Sequence, residues 1–458
     1  MLPGTPKAAN FRHHVSRWIL PSVIVLQILV FYSARTLPFS ATASYYLHPL
    51  AAAKPATIPA VDPRCPLGKV YIYDLPRVFN RDLMENCDDL DPWHSRCQAL
   101  SDHGYGPRAA GISEILPENL AASWFWTDQF ALELIYHHRM ANYKCRTADP
   151  ESAAAFYIPF YAGLALGKYL WPVRFNYTND DRDRHCRLLF DWLGDRPQWK
   201  RSQGRDHFIA MGRITWDWRR REGMDWGSNC IFTPGMRNVT RLLIEGHPWD
   251  YYDVAVPYPT GFHPSTAEDI ARWQDFVRAR RRSTLFCFAG GPRRKIKNDF
   301  RALLLSQCLS SGSCKSVDCG RDKCTNGTPE ILEAFLDSDF CLQPRGDSLT
   351  RRSTFDCMVA GSIPVFFWRR SAYYQYKLFL PEEPESYSVF IHRDEVKNGT
   401  SIKSVLETIS KERVRMMRNK VIDYIPNLIY AKAERGIDGI RDAFDIAVEG
   451  VLRRSNER

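Results

Sequence analysis

Twice in this chain an apolar, strand-like run ends in a glycine turn that delivers a cluster of cations to the start of a helix. The first run is Ser283–Gly291, "STLFCFAGG"; Arg293, Arg294, Lys295 and Lys297 then open a helical pattern over Ile296–Cys308. The second is "CLQPRGDSLTRRSTFDCMVAGSIPVFF", Cys341–Phe367, where Arg345, Arg351 and Arg352 fall between the strand Asp339–Pro344 and the strand Ser362–Phe367. Strands alternating with helices dictate an α/β layered fold, and in parallel sheets of that kind ligands sit beyond the carboxyl ends of the strands.

The helix inside the second run has Ser348 or Thr350 as its N-cap, an apolar face of Phe355, Met358 and Val359, and Gly361 to end it. That places Arg351 and Arg352 in its first turn, where the helix dipole disfavours a cation by a few tenths to about 1 kcal/mol. An anion held jointly by backbone N–H groups and guanidinium groups resolves the conflict. The bland alternative pairs Arg352 with Asp356 and leaves Arg351 in water; recurrence of the pattern favours the anion, and two such sites suit a diphosphate. The glycines match neither the P-loop nor the complete dinucleotide fingerprint. Asp356, one turn into the helix, is placed to hold ribose hydroxyls, as acids do in other nucleotide-binding α/β domains. Arg345-Gly346-Asp347 spells an adhesion tripeptide, but such a signal belongs on an exposed loop tip, whereas this one is locked between a strand and a patterned helix.

Further strands are expected at Lys69–Pro76, Ala154–Tyr161, Asp206–Gly212 and Tyr252–Pro259, with helices over Ser123–Met140 and Thr266–Arg281. The segments divide as a cytosolic tail (1–17), a transmembrane signal anchor (18–32), a stem (33–64), an N-terminal α/β domain (65–275), a C-terminal nucleotide-binding α/β domain (276–400) and a helical tail (401–458). Lys7, Arg12 and Arg17 ahead of the apolar run predict that the N-terminus stays cytosolic and the body is translocated. A cleaved signal peptide, with small residues at Ser40–Ser44, is the competing reading. Sequons at Asn176, Asn238, Asn326 and Asn398, and thirteen cysteines, agree with an oxidising lumen and disulfides, the odd number leaving at least one thiol over. The net charge of +10 is spread along the chain without a nucleic-acid-binding module, so nucleic acid is not the expected partner.

The stretches "YIYDLP", "FYIPFYAGL", "GRDHFIAMGRITWDWRR", "DVAVPYPTGFHP", "LFCFAGGPRRKIKNDFR" and the Cys341–Phe367 run resemble the exostosin family of glycosyltransferases, family forty-seven, and within it plant xyloglucan galactosyltransferases of the MUR/KATAMARI type. The resemblance covers about residues 65–400. It implies a GT-B fold of two Rossmann-like domains facing a cleft, a single-pass type II Golgi membrane protein, and an inverting mechanism. It also implies a UDP-sugar donor such as UDP-galactose bound by the C-terminal domain, and a xyloglucan acceptor bound by the N-terminal one. Transfer of galacturonic acid or arabinose, and a non-catalytic glycan-binding membrane protein, are the alternatives; complexes with other wall glycosyltransferases are also expected.

Inversion requires one displacement, so the enzyme must orient two substrates, accept a proton and stabilise the departing diphosphate. Donor-binding candidates are Arg293, Arg294, Arg345, Gly346, Arg351, Arg352, Ser353 and Asp356. With those cations in place no metal or cofactor is expected, and the Asp-x-Asp triplets at Asp89, Asp181 and Asp337 are taken as loop acids. Candidates for the base are Asp217, His207 and His263, with a salt bridge to Arg219, Arg220 or Arg221 the competing role for Asp217. Tyr161, Trp216 and Trp218 are candidates to line an acceptor groove.

Overall fold

A computed structural model describes residues 63–457, apart from 172–175, 294–295, 297–298, 321–323 and 325–326, together with Gln27. The tail, the anchor apart from Gln27, the stem up to residue 62, Arg294 and the sequon at Asn326 therefore lie outside the described residues. No described helix is long and apolar enough to cross a membrane.

Two wholly parallel sheets build the body, and helix-bearing crossovers are what parallel pairing requires. The first contains β1 (Lys69–Ile72), β2 (Arg146–Thr147), β3 (Ala153–Tyr157), β4 (His207–Met211), β5 (Thr240–Leu243) and β6 (Asp253–Ala255), in the order β2-β1-β3-β4-β5-β6. The second contains β7 (Thr284–Ala289), β8 (Cys314–Val317), β9 (Ser338–Gln343), β10 (Ile363–Phe366) and β11 (Val389–Phe390), in the order β11-β10-β9-β7-β8. All register pairs in both sheets are parallel. In the second sheet the chain adds β8 on one side of β7 and β9 on the other, so the strand order reverses between β7 and β9. A crevice outside the carboxyl ends of strands at such a reversal is where open α/β sheets bind ligands.

The helices used below are α1 (Leu132–Ala141), α2 (Ala162–Gly167), α3 (Asn179–Gly194), α4 (Ala267–Ala279), α5 (Phe300–Ser311), α6 (Pro329–Asp337), α7 (Ser353–Val359), α8 (Lys411–Asp423) and α9 (Ala443–Asn456). Reciprocal capping boxes start α3 (Thr178 with Asp181), α4 (Thr266 with Asp269) and α9 (Asp442 with Asp445), satisfying donors that the first turn leaves free. α4 buries Ile270, Trp273 and Val277 on one stripe, and the Trp273 indole N–H donates to the Val359 carbonyl at the end of α7 (2.8 Å). Gly361 follows α7 with φ of +69°, the left-handed turn expected of it. α7 itself starts at Ser353, two residues later than Thr350 could cap it, so Arg351 and Arg352 precede the helix rather than occupy its first turn.

The expected helical tail divides its loyalties. Met417 of α8 packs with Phe340, Ile363 and Val365 of the second sheet. α9 instead joins the core of the first, and a buried ion pair between Arg139 of α1 and Asp442 fixes the return. Tyr430 Oη donating to the Pro257 carbonyl (2.6 Å) is a second tie. Six disulfides close, Cys65–Cys145, Cys87–Cys97, Cys186–Cys230, Cys308–Cys314, Cys319–Cys324 and Cys341–Cys357, and Cys287 is left as a buried thiol.

Candidate functional site

The carboxyl ends of the two sheets face a shared cavity. Gln129, Phe130, Ile214 and Tyr258 line it from the first, and Gly346, Asp347, Arg351, Arg352, Ser353 and Asp356 from the second. Three side chains, making four hydrogen bonds, hold the halves in register here. Glu245, just past β5 and fully buried, accepts hydrogen bonds from the backbone N–H groups of Leu349 and Thr350 (both 2.9 Å). Tyr376 Oη donates to the Ile244 carbonyl (2.6 Å), and Arg352 Nη1 donates to the Thr127 carbonyl (2.5 Å).

The cations gather at the β7–β9 reversal. Arg293, after β7, donates to the Gly346 carbonyl and pairs with Asp347 (2.9 Å). Arg301 of α5 reaches the same carboxylate (3.8 Å) and the Arg345 carbonyl (3.3 Å). Arg345 lies with its guanidinium 5.5 Å from the Trp368 ring centroid. Arg351 is the most enclosed: Nη2 donates to the Ala289 carbonyl at the end of β7 (2.7 Å), while Nη1 is buried with no hydrogen-bond partner among the described residues. Burial, reinforced by Arg301 and Arg293, pulls its pKa down from the usual 12.5 to about 9. A cationic donor without a partner, lining a cavity and crowded by like charges, is arranged for an anion that arrives from outside. Gly346 allows the crowding, since a Cβ there would stand 1.9 Å from the Thr350 carbonyl oxygen.

Asp356 also lines the cavity but is tied to Arg352 (3.1 Å), and burial holds its carboxyl above the ordinary range. Ser353 Oγ donates to Gln343 Oε1 (2.8 Å), a partner at the end of β9 that fixes the start of α7.

A family model described as the Exostosin GT47 domain matches residues 64–409. The chain belongs to the exostosin GT47 family. Among its curated relatives is the xyloglucan galactosyltransferase XLT2 of Arabidopsis thaliana, 57% identical over 98% of this chain and 90% of that protein. The xyloglucan galactosyltransferase MUR3 of the same plant is 41% identical over 84% of this chain and 61% of its own length. A xyloglucan-specific galacturonosyltransferase is 37% identical over 84% of this chain and 57% of its own.

In this exostosin-family chain the expected site residues do not all come together. Arg293, Arg345, Gly346, Arg351, Arg352, Ser353 and Asp356 meet at the β7–β9 crevice. His207 does not join them: it sits at the amino end of β4, between Asp206 (2.6 Å from Nδ1) and Tyr73 Oη (2.7 Å from Nε2). His263 is buried, its Nε2 bonded to Thr127 Oγ1 (2.8 Å) and its Nδ1 to the Tyr430 carbonyl (2.6 Å), and burial pulls its pKa down to about 4. Trp218, 1% exposed, is core and cannot line a groove, because the single helical turn Thr215–Trp218 points it inward and leaves Trp216 out at 46%. Tyr161 is enclosed as well, its hydroxyl bonded to His137 Nδ1 (2.8 Å).

Asp217 pairs with Arg213 (3.7 Å) and accepts the Trp226 indole N–H (2.9 Å). Of its expected partners Arg219, Arg220 and Arg221, the first is engaged by Asp250 and Asp253 and the second by Asp183. The Asp-x-Asp acids have structural work: Asp181 caps α3, Asp183 accepts from Ser228 Oγ and Asn229 N, and Asp337 pairs with Arg280. These acids, with Asp339, lie on two helices and a strand start rather than on loops, whereas Asp91 is on a loop as expected. Of the sequons, Asn176 and Asn398 are exposed, whereas Asn238 is half-buried and donates to the Gln203 carbonyl (3.1 Å). Glu245 and Arg301 went unnoticed in the sequence, for nothing local marks an acid after a strand or a helix arginine as facing a second sheet.

Proposed function

We propose that this protein is an inverting glycosyltransferase of GT-B type that moves galactose from UDP-galactose to xylosyl side chains of xyloglucan. The observation that carries the donor reading is the buried, partnerless Nη1 of Arg351 among Arg293, Arg301 and Arg345 at the strand-order reversal. The relatives named xyloglucan galactosyltransferases, one of them aligned along nearly the whole chain, support the sugar and acceptor. On this reading the arginines bind the diphosphate and stabilise the charge it gains as the glycosidic bond breaks, so no metal is called for. Asp356 faces the ribose, and Arg294 joins the donor site. The first sheet presents the acceptor and supplies the base. His207 and His263 are bonded at both ring nitrogens, which leaves Asp217, whose carboxyl is raised chiefly by burial and only partly drawn back by Arg213 and Trp226. The reading further places the protein in the Golgi membrane as a single-pass type II glycoprotein, anchored through residues 18–32, with glycans at its sequons.

Transfer of galacturonic acid by the same site is the second reading, favoured by the relative named for that sugar. UDP release by the full chain from UDP-galactose, UDP-galacturonic acid and UDP-arabinose, each with xyloglucan as acceptor and with EDTA present, tests both. Release from none of them, or only when Mn²⁺ is restored, defeats the corresponding claim.

A further inference from the structure

Outside the cavity, the first sheet carries an exposed row of indoles that nothing so far uses. Trp93 and Trp171 are 51% and 37% exposed with ring centroids 5.2 Å apart, and Trp171 stands 4.7 Å from the half-buried Trp226. Three separate loops supply them, following β1, α2 and the Thr215–Trp218 turn. The loops are braced. Cys87–Cys97 closes the first, where Asp91 also accepts from Trp93 N (2.9 Å), and Lys168 approaches Asp89 (3.8 Å) to link it to the second. The third is bound to α3 by Cys186–Cys230 and by Asp225 with Arg182. Trp226 then reaches back to Asp217 (2.9 Å), three residues from Ile214 in the cavity wall. The rings are tilted (60°) and edge to face (71°) rather than coplanar, so they line a corner, and exposed indoles of this kind suit flat apolar faces such as those of pyranose rings. Asp225 and Asp89 are 79% and 62% exposed although each has a basic partner, Arg182 and Lys168, so the rim offers both acceptors and donors to hydroxyl groups without a net charge. The exposed indole area is on the order of 300 Å² from typical tryptophan surfaces, well short of the ~800 Å² per partner of a stable dimer.

We propose that Trp93, Trp171 and Trp226 form a stacking platform for the glucan backbone of the acceptor, leading the chain toward Asp217 and the donor cavity. This deepens the glycosyl-transfer reading and rests on it. The test uses the full chain with UDP-galactose and xyloglucan oligosaccharides. In Trp93→Ala and Trp171→Ala the acceptor KM rises about tenfold, by loss of stacking, while donor KM moves little; Trp93→Phe and Trp171→Phe recover most of the affinity. An unchanged acceptor KM in both alanine variants overturns the platform and leaves the transfer reading standing. If the wild type transfers nothing, calorimetry with the oligosaccharides separates the two: binding that the alanine variants lose upholds the platform alone, and no binding by the wild type overturns it. A dimer that Trp93→Ala dissociates, with acceptor KM unchanged, gives the patch to a second copy and overturns it as well.

Discussion

Arg293 and Asp347 face each other at 2.9 Å across the β7–β9 crevice, so the loop after β9 supplies its own acid to cations gathered for something else. Asp347 is 76% exposed, and pairs this wet contribute only about 0–1 kcal/mol. A diphosphate with two charges and several acceptor oxygens displaces such a partner readily. Asp347→Asn is therefore expected to tighten UDP binding, by up to about fivefold, while Arg293→Ala weakens it tenfold or more. Calorimetry on both variants checks this, and weaker binding in Asp347→Asn would mean that the acid itself touches the nucleotide.

In the proposed donor site, Arg351 should make donor binding sensitive to alkaline pH. Its guanidinium loses its proton near pH 9 in the empty site, and an anion binds the protonated form better. Affinity is thus full below about 9 and falls as pH rises through that value, approaching tenfold per unit until the bound-state pKa is reached. UDP titrations between about pH 7 and 10 should show the fall in wild type and not in Arg351→Ala. A flat wild-type profile would mean that Arg351 keeps its proton in the empty site across this range.

Asp217 is the proposed base. In that role it would account for about 10²–10⁴-fold of the rate, so Asp217→Asn should lower kcat by roughly that factor with UDP affinity unchanged. A fall of less than about tenfold assigns the carboxylate to Arg213 and Trp226 as a structural pair.

What the sequence reveals and what it conceals divide along the range of the interaction. β4, β7, β9 and β10 are apolar runs that periodicity finds within a residue or two, whereas β1, β3 and β6 stop four residues before the expected ends at Pro76, Tyr161 and Pro259. β5 hides because Arg241 interrupts its apolar pattern; the strand survives in the core only because Asp250 and Asp253 (both 2.7 Å) neutralise that arginine. The cation cluster is legible because, read locally, the sequence sets charge against a helix dipole, even though α7 starts only after the two arginines. Glu245 violates nothing local, and its meaning lies in backbone groups more than a hundred residues away. The same holds for Trp216 and Trp218, adjacent but one in sequence and opposite in burial.

The thirteen cysteines give a countable outcome. Twelve are paired and Cys287, buried in β7, has its thiol pushed up to about 12 by burial, so it offers neither access nor thiolate. A maleimide reagent should add to no site in the folded protein, to one after denaturation without reductant, and to all thirteen once the disulfides are reduced. Two or more adducts in the unreduced, denatured protein, read by mass spectrometry, would break the assigned pairing.

Glu133 ties stability to mild acid. It stands in the first turn of α1, wholly buried, and accepts from the backbone N–H groups of Gly163 (2.6 Å), Leu164 (3.3 Å) and Gly212 (2.8 Å), bracing the carboxyl ends of β3 and β4. Burial pushes its pKa from the usual 4.5 up to about 7, the three N–H groups and Arg213 opposing without prevailing. Below about 4.5 folded and unfolded chains both hold the proton. Between there and about 7 only the folded chain does, so this group's contribution to stability falls as pH rises and levels off above 7. A shift of this size corresponds to roughly 3 kcal/mol. Glu133→Gln removes the ionisation, so denaturant unfolding should show the variant gaining on wild type by about that much from pH 4.5 to 7.5. A stability difference that stays constant across the range would mean that the carboxylate is already ionised in the fold, carried by its three backbone donors.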